Sequence, residues 1–158
     1  MSSQGAQVRV RRMSAADLER VLEIAASLRE APHWLRAAYV AAVDPANLPR
    51  RIALVAAGPE SDSPVGFLVA GVLVPEAELE MIAVALECQR LGLGVLLLGA
   101  LTEELRKEQV EELILEVRAS NRTALGFYCR QGFEETGRRS RYYADPEEDA
   151  VLMRLKLA

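Results

Sequence analysis

Six residues, Gln89-Arg90-Leu91-Gly92-Leu93-Gly94, constrain this chain more than any other stretch. A strand-like run, Leu79 to Val84, precedes them, and a helix-like run, Val95 to Glu108, follows. The first N–H groups of a helix have no intrahelical partner, and the helix dipole favours negative charge beside them. Glycines at that point strip away side chains, so the bare amides can converge on an anion. The stretch reads as a pyrophosphate cradle. A plain tight strand-to-helix turn is the other reading that these six residues permit.

Two familiar phosphate sites fit less well. Gly92 and Gly94 match the first two glycines of the dinucleotide fingerprint G-x-G-x-x-G, and Glu116 sits about where a ribose-binding acid belongs. The third position is Leu97, however, where close helix–strand packing calls for Gly or Ala. A P-loop fails because no Gly-Lys-Ser/Thr follows.

The rest of the chain supplies an α/β frame for the cradle. Val8 and Val10 alternate with Arg9 and Arg11, as on a half-buried strand. Ser14 to Asp17 resembles a capping box, and Leu18, Val21, Leu22 and Ala25 repeat at helical spacing. A second helical patch begins at Pro32, with Trp34, Leu35, Ala38 and Tyr39 on one side. Strands are expected at Ile52–Ala57, Val65–Val74 and Leu79–Val84, with turn chemistry between them. The helix after the glycines buries Leu96, Leu97, Ala100, Leu101 and Leu105. Glu111–Arg118 is a further strand, Ser120 or Asn121 caps a short helix that Gly132 ends, and Phe133–Ser140 and Ala150–Leu157 are the last strands. The connection between those two strands runs from Arg141 to Asp149. The expected order is β-α-α-β-β-β-α-β-α-β-β, one mixed α/β domain over residues 1–158 with residues 1–6 frayed.

Composition removes several function classes. The 158 residues suit a single domain, 51% hydrophobic and 27% charged. A net charge of −4 argues against non-specific nucleic-acid binding and permits a basic substrate. No run reaches the roughly 18 apolar residues of a membrane span, and no signal-peptide core is present. Cys88 and Cys129 form no C-x-x-C pair, so no metal is expected and a reducing cytoplasm is the simplest location. With one histidine, His33, and no nucleophile motif to serve it, a catalytic triad is disfavoured.

Four motifs then occur in order: Leu79-Glu80-Met81-Ile82-Ala83-Val84, the glycine turn, Leu115-Glu116-Val117-Arg118-Ala119-Ser120-Asn121, and Phe127-Tyr128-Cys129-Arg130-Gln131-Gly132-Phe133. Together they resemble the GNAT superfamily of acetyl-CoA-dependent N-acetyltransferases. Glu116 to Asn121, Arg141-Tyr142-Tyr143 and Glu148-Asp149-Ala150 with Met153 resemble the ribosomal-protein alanine N-acetyltransferases within it. The resemblance is close over residues 79–157 and a pattern only over residues 7–78.

The resemblance implies a single GNAT-like domain that uses acetyl-CoA as co-substrate. Gln89, Arg90, Leu91, Gly92, Leu93, Gly94 and Val95 would hold the pyrophosphate of coenzyme A. The pantetheine arm would pair with Ile82, Ala83 and Val84, on a strand that must part from Glu111–Arg118 to make room. Asn121 would touch the same arm, or serve as a plain N-cap. Glu116 is the candidate base, the lone acid among apolar strand neighbours, where partial desolvation makes a carboxylate more basic; otherwise it is a solvent-facing glutamate. Tyr128 is the candidate acid, or a core aromatic. Trp34, Tyr142, Tyr143 and Asp149 would line the acceptor site, with an acid of the last connection holding a substrate ammonium.

The acceptor implied is a protein or peptide N-terminus, with a ribosomal-protein alanine first, by direct transfer in a ternary complex. A GNAT for small amines or lysine side chains, and a non-catalytic acyl-CoA sensor, are the alternatives. The chain departs from its relatives' pattern at Leu86, where proline is frequent, at Gly126 inside a helix, and at Ala31-Pro32-His33-Trp34.

Overall fold

The apolar runs pair into one seven-stranded sheet in the computed structural model, which describes residues 8–28, 34–59, 61–144 and 146–158. In chain order the elements are β1 (Arg9–Arg12), α1 (Leu18–Ala26), α2 (Arg36–Val43), β2 (Arg51–Ala57), β3 (Pro64–Leu73), β4 (Glu76–Val84), α3 (Leu93–Lys107), β5 (Glu112–Arg118), α4 (Arg122–Arg130), β6 (Glu134–Tyr143) and β7 (Glu148–Lys156). This is the order that the hydrophobic patterning predicts. In space the strands run β1-β2-β3-β4-β5-β7-β6, and every pair is antiparallel except β4–β5.

Alternation along the strands sorts side chains onto two faces, and each face has its own core. On one, Leu97, Leu101 and Leu105 of α3, with Tyr128 and Phe133, pack on Leu68, Leu79, Leu113 and Met153. On the other, Val21 and Ile24 of α1 and Tyr39 of α2 pack on Val55, Phe67 and Met81. Strand residues of this second core come only from β2, β3 and β4. The same face of β5 and β7 carries Ile114, Glu116, Arg118, Leu152 and Arg154 instead.

One bulge shapes the functional end of the sheet. Val69 pairs with Met81, yet the next residue, Ala70, pairs with Leu79, so Glu80 is an extra residue in β4. A single inserted residue moves everything after it to the other face. Ala77 and Leu79 accordingly join the α3–α4 core, whereas Met81 and Ala83 join the α1–α2 core. Strand β4 pairs with β5 only at Glu76↔Glu112, Ala77↔Leu113 and Glu78↔Ile114. Beyond that rung the two strands have no pairing, and a cleft opens between Leu79–Val84 and Leu115–Arg118.

Some local expectations change. The second helix starts at Arg36, not Pro32; residues 29–33, including Pro32 and His33, and residues 1–7 lie outside the described residues. Leu35 is the extended N-cap of α2 and is 80% exposed, because helical spacing does not govern a cap residue. In α3 the buried stripe includes Leu93 and Leu98, whereas Leu96 is exposed and Ala100 only half-buried. Four consecutive apolar residues, Val95 to Leu98, leave the phase of that stripe open until the sheet selects it. The stretch from Arg141 to Asp149 is mostly strand: Tyr142 and Tyr143 end β6, and Asp149 lies in β7. A register shift between Arg139 and Tyr143 absorbs the surplus residues, with Arg141 at φ 54° and its N–H donating to Asp149 Oδ1 at 3.0 Å.

Candidate active site

The glycine turn is built as bare backbone. Gly92 caps α3 at φ 82°, a left-handed conformation that a side chain would strain. Gln89 N–H donates to Leu86 O at 3.4 Å, and the next backbone donor is Leu96 N–H, to Gly92 O at 3.1 Å. Between them the six amides of Arg90, Leu91, Gly92, Leu93, Gly94 and Val95 have no backbone acceptor among the described residues. The Gln89 side chain ties the turn to the preceding strand, donating from Nε2 to Val84 O at 3.0 Å. Gly94 answers a packing need: a Cβ there would lie 3.1 Å from Phe127 Cζ. The glycines therefore bring the start of α3 against α4 and leave its amides open to an anion.

The cleft runs from this turn along β4. Ile82, Ala83 and Val84 pair with Leu68, Phe67 and Gly66 of β3, so their other backbone edge faces the cleft. Across it, Glu116 projects from β5 onto the face away from α3 and α4. Its side chain is 21% exposed, and Oε2 is buried without a hydrogen-bond partner among the described residues. Arg139 of β6 places Nε 3.7 Å from Oε2, an ion-pair distance too long for a hydrogen bond.

Tyr128 sits on the opposite side of the sheet, in the α3–α4 core, and does not touch Glu116 through any hydrogen bond or ion pair. Its ring packs edge-on between Phe127 and Phe133, at 5.4 Å from each. Burial pushes its phenol up to about 12. Asn121 caps α4, its Oδ1 accepting from Ala124 N–H at 3.1 Å.

The end of the β6–β7 hairpin is held by its acids. Glu148 accepts from Ser120 N–H at 3.0 Å, from Ser120 Oγ at 3.1 Å and from Arg118 at 3.1 Å. The Ser120 hydroxyl first, then Arg118 and the Ser120 amide, keep its carboxyl below the usual glutamate range against some desolvation. Arg118 also lies over the Tyr143 ring at 4.3 Å, and Tyr142 packs edge-on against Tyr143 at 5.1 Å. Burial first, then the Glu116 charge, raises the Tyr143 phenol. Trp34 stacks at 5.3 Å on buried Tyr39, whose hydroxyl reaches Met81 Sδ at 3.1 Å. The structure thus gathers Glu116, Tyr143, Arg118 and Arg139 on one sheet face. Trp34 borders the α1–α2 core of that face, and Asp149 is engaged with Arg141.

Residues 18–133 match the model of the acetyltransferase (GNAT) family. This chain belongs to the GNAT family. Ribosomal protein bS18-alanine N-acetyltransferase of Escherichia coli strain K12 is 45% identical over 94 residues, which cover 58% of this chain and 64% of that relative. An N-alpha-acetyltransferase of Sulfurisphaera tokodaii is 42% identical over 82 residues, covering 51% of this chain and 48% of that protein. The crystal structure of the Escherichia coli ribosomal-protein-S18-alanine N-acetyltransferase superposes with a TM-score of 0.81 at 31% identity, over 96% of this chain and 95% of the other.

For a GNAT chain, one acid near the cleft was not legible as a site residue from the motifs. Glu78 stands at the last paired rung of β4 and β5, opposite Ile114, so it shares a sheet face with Glu116. Partial desolvation first, then the charges of Glu116 and Glu80, raise its carboxyl, with Arg139 opposing. The signal available in the sequence was the alternation Glu76-Ala77-Glu78-Leu79, which puts Glu78 on the face away from the α3–α4 core.

Proposed function

We propose that this GNAT chain transfers an acetyl group from acetyl-CoA to the α-amine of a protein N-terminus, a ribosomal-protein alanine in the first instance. The β4–β5 cleft carries the reading: six partnerless amides close one end, and a largely buried carboxylate with an unpartnered oxygen stands across it. Relatives at 45% and 42% identity, a ribosomal protein bS18-alanine N-acetyltransferase and an N-alpha-acetyltransferase, support an N-terminal acceptor.

The residues fit the co-substrate on structural grounds: bare amides for a pyrophosphate, and a strand edge without a neighbour for an amide-bearing arm. When bound, acetyl-CoA supplies an activated acetyl group and a thiolate leaving group. Arg90 to Val95 hold the diphosphate by their N–H groups, with Gln89 fixing the turn. Ile82, Ala83 and Val84 offer the cleft edge of β4 to the pantetheine arm, apart from Val84 O, which Gln89 holds. Asn121 keeps its side-chain N–H₂ free for that arm while its oxygen caps α4.

Glu116 takes a proton from the acceptor, directly or through a water, which frees the amine lone pair. Tyr128 gives its proton to the departing sulfur, and burial keeps that phenol protonated until it is used. Tyr142, Tyr143 and Trp34 wall the acceptor side. No acyl carrier is needed: Cys129 points to solvent, and Cys88 lies before the glycine turn. Transfer is direct, in a ternary complex.

The test is a thiol-release assay with a panel of N-terminal peptides, followed by mass mapping of the acetylated nitrogen. Peptides beginning with alanine should react best, at the α-amine. Acetylation of lysine side chains or small amines alone would overturn the acceptor assignment. Tight acetyl-CoA binding without turnover on any amine would make the chain a sensor module.

A further inference from the structure

We infer that Glu78 and Glu116 act as a pair that captures the acceptor amine as its ammonium, before Glu116 removes the proton. The inference rests on the acetyltransferase reading above and names the part of that site which recognises positive charge.

The need for capture follows from the substrate. An α-amino group titrates at about 7.7–8.0, so at neutral pH most acceptor molecules arrive charged. A base that meets an ammonium profits from a second negative charge nearby, because that charge holds the cation until its proton passes to the base, leaving a neutral amine and a carboxylic acid.

The charged groups around Glu116 identify which acid is available. On β5 and β7, Arg118 and Glu148 are joined at 3.1 Å, and Glu148 also holds Ser120. On β4, Glu80 is bound by Arg51 at 2.8 Å. Asp149 accepts from the Arg141 amide. Tyr143 of β6 lies under the Arg118 guanidinium. Glu78 and Glu76, both exposed, have neither a hydrogen bond nor an ion pair among the described residues, and Glu78 is the nearer to Glu116, since Glu76 pairs back at Glu112.

Its position is set by the backbone. Glu78 and Ile114 share the last β4–β5 rung, and Glu116 follows two residues later on the same face as Ile114. Glu78 therefore stands at the root of the cleft and Glu116 one step along it. A cation already rests against Glu116. The Arg139 guanidinium lies 3.7 Å from the orphaned Glu116 Oε2 without a hydrogen bond, on a side chain 57% exposed that also lies over the Tyr142 ring at 5.4 Å. It marks the place that an arriving ammonium would take.

The experiment uses the full-length protein loaded with CoA and two probes, a peptide with a free N-terminal alanine and its N-acetylated form. Binding is followed by calorimetry, and turnover with acetyl-CoA is measured separately. Glu78→Gln should weaken binding of the free-amine peptide about tenfold, roughly 1.4 kcal/mol, and leave the acetylated peptide unchanged. In turnover it should raise KM by a similar factor with kcat within about twofold, and Glu78→Asp should restore most of the loss. Carboxyl NMR should show the Glu78 pKa falling when Glu116 is replaced by Gln, since that charge helps to raise it. Equal affinity of wild type and Glu78→Gln for the free-amine peptide overturns the inference, as does a fall in kcat at unchanged KM. If wild type acetylates no amine, the functional reading fails, while the binding arm still decides whether the pair holds an ammonium.

Discussion

Two glycines in α3 offer a matched test of how the cradle is packed. Gly99 has open space around it, so Gly99→Ala adds a methyl group that meets nothing within 4 Å. It should gain the helix preference of alanine over glycine, about 1 kcal/mol, and raise Tm by roughly 2–4 °C for a chain of this size. Gly94 lies in the first turn of the same helix, where its Cβ would stand 3.1 Å from Phe127 Cζ and 3.3 Å from Cε1. The ring would have to retreat by a few tenths of an ångström, and overpacking of this kind costs about 1–3 kcal/mol. Subtracting the smaller helix gain at a first-turn site leaves Gly94→Ala neutral to about 2 kcal/mol less stable. Phe127 packs on Tyr128 at 5.4 Å, so the displaced ring also presses on the proposed acid. Misplacement of a fraction of an ångström should cost roughly three- to tenfold in turnover. Thermal denaturation and thiol release on the two variants, side by side, decide the matter. If Gly94→Ala raises Tm as much as Gly99→Ala, the close approach of α3 to Phe127 is not what demands glycine.

Other changes test the chemistry and the frame. Tyr128→Phe should keep stability within about 1 kcal/mol, since only a hydroxyl is lost, and lower kcat by about 10²–10⁴. Because burial holds that phenol at about 12, wild-type kcat should show no alkaline loss from it near the ordinary tyrosine value of 10.0; such a loss would refute the assigned environment. Glu116→Gln should lower kcat/KM most on the acid side of the profile, where less of the acceptor is deprotonated without help. Asp17 accepts two hydrogen bonds of 2.8 Å from Arg11 and one from Ser14 N–H, and Arg11 first, then Ser14, holds its carboxyl below the usual aspartate range against some desolvation. A depressed folded pKa contributes stability above the unfolded value and loses it as pH falls through the folded one. Asp17→Asn should therefore cost roughly 1–3 kcal/mol at pH 7, and the gap to wild type should close below about pH 4 in denaturant titrations.

Much of the frame is written in short stretches of the chain. The element order follows from apolar spacing and from glycine, proline and capping residues, each of which acts over a few residues. The anion cradle is local too, because a helix start needs only bare amides and the dipole. Asn121 declares itself as a cap for the same reason. Where local rules leave a choice, they fall short. The run Val95 to Leu98 is apolar on every side, so only the sheet could decide that Leu96 faces water. The Arg141–Asp149 stretch looks like a loop until the side chain of Asp149 stitches a bulged hairpin through it.

By itself, then, the sequence determined the succession of strands and helices, the glycine turn at a helix start, and the family motifs in order along the chain. Tertiary structure alone decided that Glu80 is an extra residue in β4, that β4 and β5 part after Glu78 and Ile114, and that Glu78 and Glu116 share a face while Tyr128 lies in the core behind it. The physical reason is range. Capping, glycine conformation and periodicity are settled between near neighbours, but a bulge and a diverging pair exist only relative to partner strands, and β4 and β5 are held apart in sequence by the whole of α3.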